Sequence, residues 1–517
     1  MERPIRSICI VGGGTAGWLT AAILAARHAC GSSHGLQITL VESETIGIIG
    51  VGEGTWPTMR STLKKVGISE TDFFRECNAS FKHGAKFSRW VTGAACDYYY
   101  HPLMLPEGFP GFDLAPYWMK YSAEHGDAPS FSNAVCFQEA VCELGLAPKL
   151  ITTPEYAGLA NYAYHLDAVR FAAFVRDHCV KKLGVRHIID EVTEVIRSDT
   201  GDIDCVQTSK SGRLGGDLFI DASGFKSLLL GEAMGVPFVD RSDILFIDRA
   251  LAMQVPYEEE QSDIIPYTVS TAQKHGWIWD IGLQSRRGVG YVYSSNHTTA
   301  AAALEELRTY VGHRHRDVQA REIKIACGHR QAFWQGNCVA VGLAGGFLEP
   351  LEASALVLIE LSADMISTML PATRETMAIL ASRYNKATQY RWDRIIDFLK
   401  LHYILSQRTD AEFWIDNRDP SSIPESLKEQ MALWRYRPPG DQDFTSNCEM
   451  FPAASYQYVL FGMGFRMNTR HQPLDRDIGG AQRAFAQNEA FKARWSKTLP
   501  NNRTLIDKIK EFGLQKI

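Results

Sequence analysis

Hydrophobic and polar positions are most sharply segregated at the start of the chain. Ile5, Ile8, Ile10 and Val11 make a short apolar run that predicts a buried strand, and Leu19–Ala26 makes a second run read as a helix. Gly12, Gly14 and Gly17 lie between them. Strand, G-x-G-x-x-G turn and helix in that order predict a dinucleotide-binding βαβ unit. Its glycines let the backbone approach a pyrophosphate seated on the free amides of the helix N-terminus, where Thr15 and Ala16 also lie. Leu36–Val41 predicts the next strand, and Glu42 at its end is placed to accept hydrogen bonds from a ribose diol.

Further along, Ile46–Trp56 is a glycine cluster that can lie flat against a large planar ligand, with Gly50, Val51 and Gly52 as its candidate contacts. Lys82 and Lys86 are four apart and share a face in helix or strand; Phe81, Phe87 and Trp90 argue that one amine is drawn into an apolar wall. His101 sits among the aromatics of Tyr98–Leu103, as packing or as a substrate contact. Leu166–Leu183 has helical periodicity, with Leu166, Val169, Phe171, Ala173, Phe174 and Val175 on one broad face. Val185–Ile196, Ile203–Ser209 and Asp217–Gly224 read as strands, the last ending in Asp-Ala-Ser-Gly at a cofactor-facing edge.

In Ser270–Ser295 the indoles of Trp277 and Trp279 project to one face of a strand. Tyr291 and Tyr293 repeat the alternation, and Arg286–Gly290 is the expected turn of an antiparallel hairpin. Gly336–Ala344 predicts a strand running into the Gly345–Gly346 turn, with Gly346 and Phe347 as further cofactor contacts. Glu349 and Glu352 open a helix over Ala355–Met369, whose N-terminus favours an acidic side chain or a bound anion. Beyond residue 375 the chain reads as helical and aromatic-rich, from Tyr403 to Tyr456 and Tyr458, with Tyr456 as a second candidate substrate contact.

These patterns give an α/β protein with a discontinuous cofactor module over 1–375. A substrate-side sheet is inserted at roughly 80–150 and 240–325, and a mainly helical region covers 376–517. The whole-chain balance changes this little. A length of 517 residues implies more than one subdomain, and 45% hydrophobic with 22% charged residues is ordinary for a globular enzyme. A net charge of −5 without a basic tail points away from nucleic acid and anionic membranes. The 11 cysteines contain no C-x-x-C pair, so a disulfide framework or thiol metal site is not expected, and no metal is. Met1–Ser7 leaves no room for a signal peptide, and Glu360 and Asp364 interrupt the apolar stretch Ala353–Leu370. A cytoplasmic protein with no membrane span is the expectation.

Taken in order, five motifs resemble the flavin-dependent halogenases of the tryptophan halogenase type. They are the glycines of Gly12–Gly17, VGEGTWP at Val51–Pro57, FKHGAKF at Phe81–Phe87, WIWDI at Trp277–Ile281 and GLAGGFLEPLEAS at Gly342–Ser354. The resemblance implies a Rossmann-like FAD domain of the flavin monooxygenase type and FAD supplied reduced by a separate NAD(P)H-dependent flavin reductase. It also implies bromide or chloride as a second reactant and a small aromatic substrate; a homodimer is the assembly expected of the chain. It makes Lys82 the lysine that receives hypohalous acid and Glu352 the glutamate beside the substrate. Ser354 and Ala355 become the halide site, and Trp277 and Trp279 the wall that keeps organic substrate from the flavin.

Three positions depart from the family pattern. Gly282 stands where proline usually follows the tryptophan block, and Ala353-Ser354-Ala355 stands for the usual Ser-Thr-Gly. The C-terminal region lacks the Phe-Trp pair that clamps free tryptophan, so a smaller indole or a phenol is the expected substrate. The alternatives are an aromatic hydroxylase on the same cofactor frame and a flavin-binding protein without halogenating activity.

Overall fold

Ser7–Val11 lies inside a six-stranded sheet of the computed structural model, which describes residues 4–32, 35–45, 47, 52–444, 446–468 and 477–516. The strand order is Trp334–Gln335, Cys338–Ala340, Leu218–Asp221, Ser7–Val11, Gln37–Glu42 and Arg186–Ile189. Neighbours run parallel except at the Trp334–Gln335 edge. Parallel pairing needs crossovers, so stretches far apart in sequence become neighbours. Ile8, Cys9, Ile10 and Val11 are all buried, which is why this strand reads as a continuous apolar run. Helix Thr15–Arg27 packs on helices Ala168–Lys182 and Ser354–Thr368.

Two compact units divide the chain. The first comprises Met1–Ala79, Leu166–Arg241 and Ala326–Trp392; the second comprises Ser80–His165, Ser242–Ile325 and Asp393–Ile517. The second holds a seven-stranded sheet in the order Arg321–Lys324, Arg249–Pro256, Arg286–Tyr293, Gly276–Gly282, Thr268–Ala272, Gly84–Ser88 and Tyr98–Pro102. Its pairs are antiparallel except Thr268–Ala272 with Gly84–Ser88. One face carries Ile278, Tyr291 and Tyr293 against Ala303, Leu307 and Val311 of helix Ala300–Val311. Helix Ala453–Gly462 packs on Tyr98–Pro102, and the Cβ of any residue but glycine at 462 would stand 2.7 Å from Tyr99. This is a mixed α/β architecture with a helical C-terminal region. Among the described residues no helix is long and apolar enough to cross a membrane.

Several local expectations are corrected. Lys82 and Lys86 do not share a face: they lie on separate strands, Ser80–Lys82 and Gly84–Ser88, because Gly84 (φ 157°) breaks the run where its backbone meets the His101 carbonyl. The tryptophan hairpin turns at residues 283–285, closed by Leu283 N–H to the Arg286 carbonyl at 2.9 Å, and Arg286–Gly290 belongs to the return strand. Val185–Ile196 is two strands, Arg186–Ile189 and Val192–Arg197. In helix Ala168–Lys182 the buried stripe is Ala168, Phe171, Ala172, Val175 and Cys179, and Val169 is exposed.

The strand expected over Asp217–Gly224 ends at Asp221. There the carboxylate accepts from the Leu229 and Leu230 amides at 2.9 and 2.8 Å and so serves its own loop. The helix expected over Ala355–Met369 runs one residue earlier, as Ser354–Thr368.

Candidate functional site

In the first unit the glycine turn is packed to its limit on one side and open on the other. A Cβ at Gly12 (φ 114°) would lie 2.2 Å from the Ala222 carbonyl oxygen, and one at Gly17 would lie 1.9 Å from that of Gly12. At Gly14 a Cβ would meet nothing within 4 Å. Gly14 is the N-cap of helix Thr15–Arg27 and offers no side-chain cap, so the first-turn amides point into that open space. The Thr15 hydroxyl is buried and has no hydrogen-bond partner among the described residues. Ala16 follows in the first turn of the same helix. An uncapped helix end, open space and an orphaned hydroxyl together fit a pyrophosphate.

Glu42 ends its strand beside this turn. Its carboxylate lies so close to Gly13 that a Cβ there would be 1.7 Å from Oε2, while Oε1 pairs with His187 Nε2 at 2.7 Å. Trp18 meets the His187 ring edge-on at 4.9 Å between centroids. His187 carries no local signal, because the pairing depends on the register that sets Leu40 beside it. Gly50 and Val51 lie outside the described residues; Gly52 has φ 155°. At the next residue, Glu53, burial pushes the carboxyl up to about 7. Gly346 (φ 147°) sits on a two-residue strand paired with Gly328–Arg330, where a Cβ would meet the Gly328 carbonyl at 2.5 Å. Its neighbour Phe347 meets Phe225 edge-on.

Glu352 and Ala353 both adopt left-handed backbone, φ 63° and 55°, immediately before helix Ser354–Thr368. Two successive non-glycine residues in this region store strain, about 1–3 kcal/mol each. Trp56 holds the turn: its indole N–H donates to the Glu352 carbonyl at 2.8 Å. The amides of Ser354 and Ala355 open the helix without a side-chain cap, and Glu349 is buried just upstream. Two turns into the helix, Glu360 accepts from the hydroxyls of Thr58 at 3.2 Å and Thr62 at 2.5 Å.

The second unit holds the lysines. Strand Ser80–Lys82 pairs antiparallel with Ala163–Leu166, setting Ser80 opposite His165 and Lys82 opposite Ala163. Directly opposed residues share a face of the ribbon, so Ser80, Lys82, Ala163 and His165 project together. Phe81 and Tyr164 occupy the other face, their ring centroids 6.4 Å apart. Lys82 is 4% exposed and His165 fully buried. His165 Nε2 contacts the Thr268 hydroxyl at 2.9 Å; Nδ1, also buried, has no hydrogen-bond partner among the described residues. Burial, and secondarily the Lys82 charge, hold the imidazole well below its usual range and therefore neutral.

Next along the chain, His83 Nδ1 accepts from the Gln138 amide at 2.9 Å and its Nε2 donates to the Leu146 carbonyl at 3.1 Å. Lys86, half-buried, pairs with Glu143 at 2.6 Å and lies 4.3 Å from the Tyr98 ring centroid.

Trp277 and Trp279 share a face of their strand, opposite Val292 and Gly290. Trp279 lies on Gly290, where a Cβ would be 2.1 Å from the indole. Trp277 is buried 6.2 Å from Trp90, and its N–H has no partner among the described residues. His101 Nε2 meets the Ser455 hydroxyl at 2.9 Å, with Phe398 and Tyr458 against its ring. Tyr456 is fully buried, stacked on Phe444 at 4.7 Å and edge-on to Phe398 at 4.9 Å.

Comparison with known proteins gives a consistent set of relatives. The profile of the tryptophan halogenase family matches residues 7–478. Tryptophan 6-halogenase SttH of Streptomyces toxytricini is 35% identical over 474 residues, spanning 88% of this chain and 89% of that enzyme. The crystal structure of a tryptophan halogenase from Shewanella frigidimarina NCIMB 400 superposes with a TM-score of 0.96 at 47% identity, over 100% of both chains. The flavin-dependent halogenase BrvH from Brevundimonas superposes at 0.87 with 33% identity, over 98% of this chain and 99% of its own.

Proposed function

Since the chain belongs to the tryptophan halogenase family, we infer that it is an FAD-dependent halogenase acting on an electron-rich aromatic ring, an indole first and a phenol second. The reading includes a separate flavin reductase, a cytoplasmic location and a homodimer. When bound and reduced, FAD supplies with oxygen and halide the hypohalous acid that is the oxidant. Gly12, Gly14, Thr15, Ala16, Gly17 and Glu42 would hold its pyrophosphate and ribose, with Gly52, Gly346 and Phe347 as further contacts. The amides of Ser354 and Ala355 would hold the halide. Trp277 and Trp279 would exclude organic substrate from the flavin.

The observation that carries the assignment of the lysine is the contrast between Lys82 and Lys86. Lys86 is half-buried and paired with Glu143, whereas Lys82 is 4% exposed and lies opposite Ala163 on the ribbon face it shares with His165. A buried ammonium is a strong donor for the oxygen of hypohalous acid. It draws electrons from the halogen–oxygen bond. As the carbon–halogen bond forms that bond breaks, and the departing hydroxide takes a proton from Lys82 and leaves as water. Glu352 is assigned the ring proton.

The test combines purified protein, FAD, a flavin reductase, NADH and halide with indole and phenol panels, read by mass spectrometry. Halogenation is expected; an oxygen shift would point to a hydroxylase, and no mass shift to a flavin-binding protein. Lys82→Ala should lose more than about a hundredfold in halogenation, in keeping with loss of a positioned proton-transfer group. FAD binding should be unchanged, and Lys86→Ala should keep most activity. A Lys82→Ala variant halogenating near the wild-type rate removes that residue from the mechanism.

A further inference from the structure

Three features set His165 apart. It faces the same side of the Ser80–Lys82 ribbon as Lys82, it is fully buried, and one ring nitrogen has no hydrogen-bond partner among the described residues. Its structural bond is already made by Nε2 with the Thr268 hydroxyl at 2.9 Å. An unpaired buried polar atom costs about 1–3 kcal/mol, and a purely structural side chain at this position would not need a second nitrogen.

We propose that His165 Nδ1 is a second hydrogen-bonding group for the hypohalous acid held at Lys82. This rests on the reading of Lys82 given above. The chemistry is complementary. An ammonium has donors and no acceptor, so it binds the acid's oxygen but leaves the acid's own O–H without a partner. An imidazole with its hydrogen on Nε2, directed at Thr268, presents a lone pair on Nδ1 that accepts that O–H. Burial and the neighbouring ammonium keep the ring neutral, so the lone pair stays available.

Held at both ends, the acid presents its halogen in one direction. When the halogen moves to the ring carbon, the oxygen keeps the hydrogen directed at His165 and gains one from Lys82, giving water. The ring proton lost to the carboxylate restores the balance, and His165 neither gains nor loses a proton.

Two substitutions separate the nitrogens. His165→Gln keeps a polar group near the Nε2 position, and with it the Thr268 contact, but has none at Nδ1. His165→Asn does the reverse. The measurement is halogenated product per reduced FAD reoxidised, beside FAD affinity, thermal midpoint and a cyclic 1,3-dione in solution that traps escaped hypohalous acid. His165→Gln should lower product per flavin about tenfold, the size of one lost hydrogen bond, with FAD affinity unchanged and trapped oxidant increased. His165→Asn should retain product yield within about threefold, even if its midpoint falls with the Thr268 contact.

Thr268→Val covers the event that either variant fails to fold. It removes the structural bond alone and should lower the midpoint without releasing oxidant. The inference is overturned if His165→Gln couples like wild type, or if Thr268→Val reproduces the leak. Lys82→Ala run alongside tells the two readings apart. Loss of activity there with a fully coupled His165→Gln overturns this inference alone, and an active Lys82→Ala overturns both.

Discussion

Replacing Glu360 with glutamine tests how the turn bearing Glu352 is supported. Helix Thr58–Lys65 grips helix Ser354–Thr368 through Thr58 and Thr62, whose hydroxyls both donate to the Glu360 carboxylate, while Trp56 donates to the Glu352 carbonyl. Burial raises this carboxyl from 4.5 to about 7; the two threonines and Lys65 act in the opposite direction and do not prevail. Between pH 4.5 and 7 the folded chain therefore holds a proton that the unfolded chain has released. Stability falls as pH rises through that window and then levels off, by about 3 kcal/mol in all. Glutamine has the shape and charge of the protonated acid and escapes this loss. The two proteins should be nearly equal at pH 4.5, and the glutamine variant ahead by about 2–3 kcal/mol at pH 8.5. Denaturation midpoints taken on both proteins at half-unit pH steps give the gap directly, because the other titrating groups cancel in the difference. A gap that does not change with pH, or a variant weaker than wild type at pH 8.5, refutes the reasoning.

Three other outcomes follow from local geometry. Gly290→Ala places a Cβ within 2.1 Å of Trp279 and should cost about 1–3 kcal/mol while shifting tryptophan fluorescence, as the indole must move; an unchanged midpoint and spectrum count against the contact. His187→Ala frees Glu42 and should raise the FAD dissociation constant about tenfold by fluorescence titration, whereas an unchanged constant means Glu42 is held without it. With bromide and chloride at equal concentration, brominated product should at least match chlorinated product, because bromide is the more easily oxidised ion and Ala355 replaces the family's glycine; mainly chlorinated product contradicts this.

What was legible in the chain is what depends on neighbours in sequence. Gly12 and Gly17 of the first turn are each demanded by a carbonyl oxygen nearby in space, and their spacing reflects the turn itself. The buried parallel strand shows as an unbroken apolar run, since both its faces are covered. Register and pairing were not legible. Glu42 and His187 are 145 residues apart and meet only because their strands are adjacent and parallel. Asp221, within a sequence that read as a cofactor edge, is consumed by amides of its own loop. Val169 fits the helical period yet is exposed, since the buried stripe lies on the side facing helix Thr15–Arg27.

The two lysines show why composition could not locate the chemistry. Spacing put them on one face, and the signal that they part was the glycine between them, which in a strand marks a break or a close backbone approach. Once they part, long-range partners decide their character. Lys86 finds Glu143 and the Tyr98 and Tyr100 rings, which spend its charge at the rim. Lys82 lies on a ribbon face with Ser80, Ala163 and a neutral imidazole. The aromatic residues that made both lysines look alike in sequence divide with them: Phe81 turns to Tyr162 and Tyr164, while Phe87 stacks on Tyr99 in the other sheet.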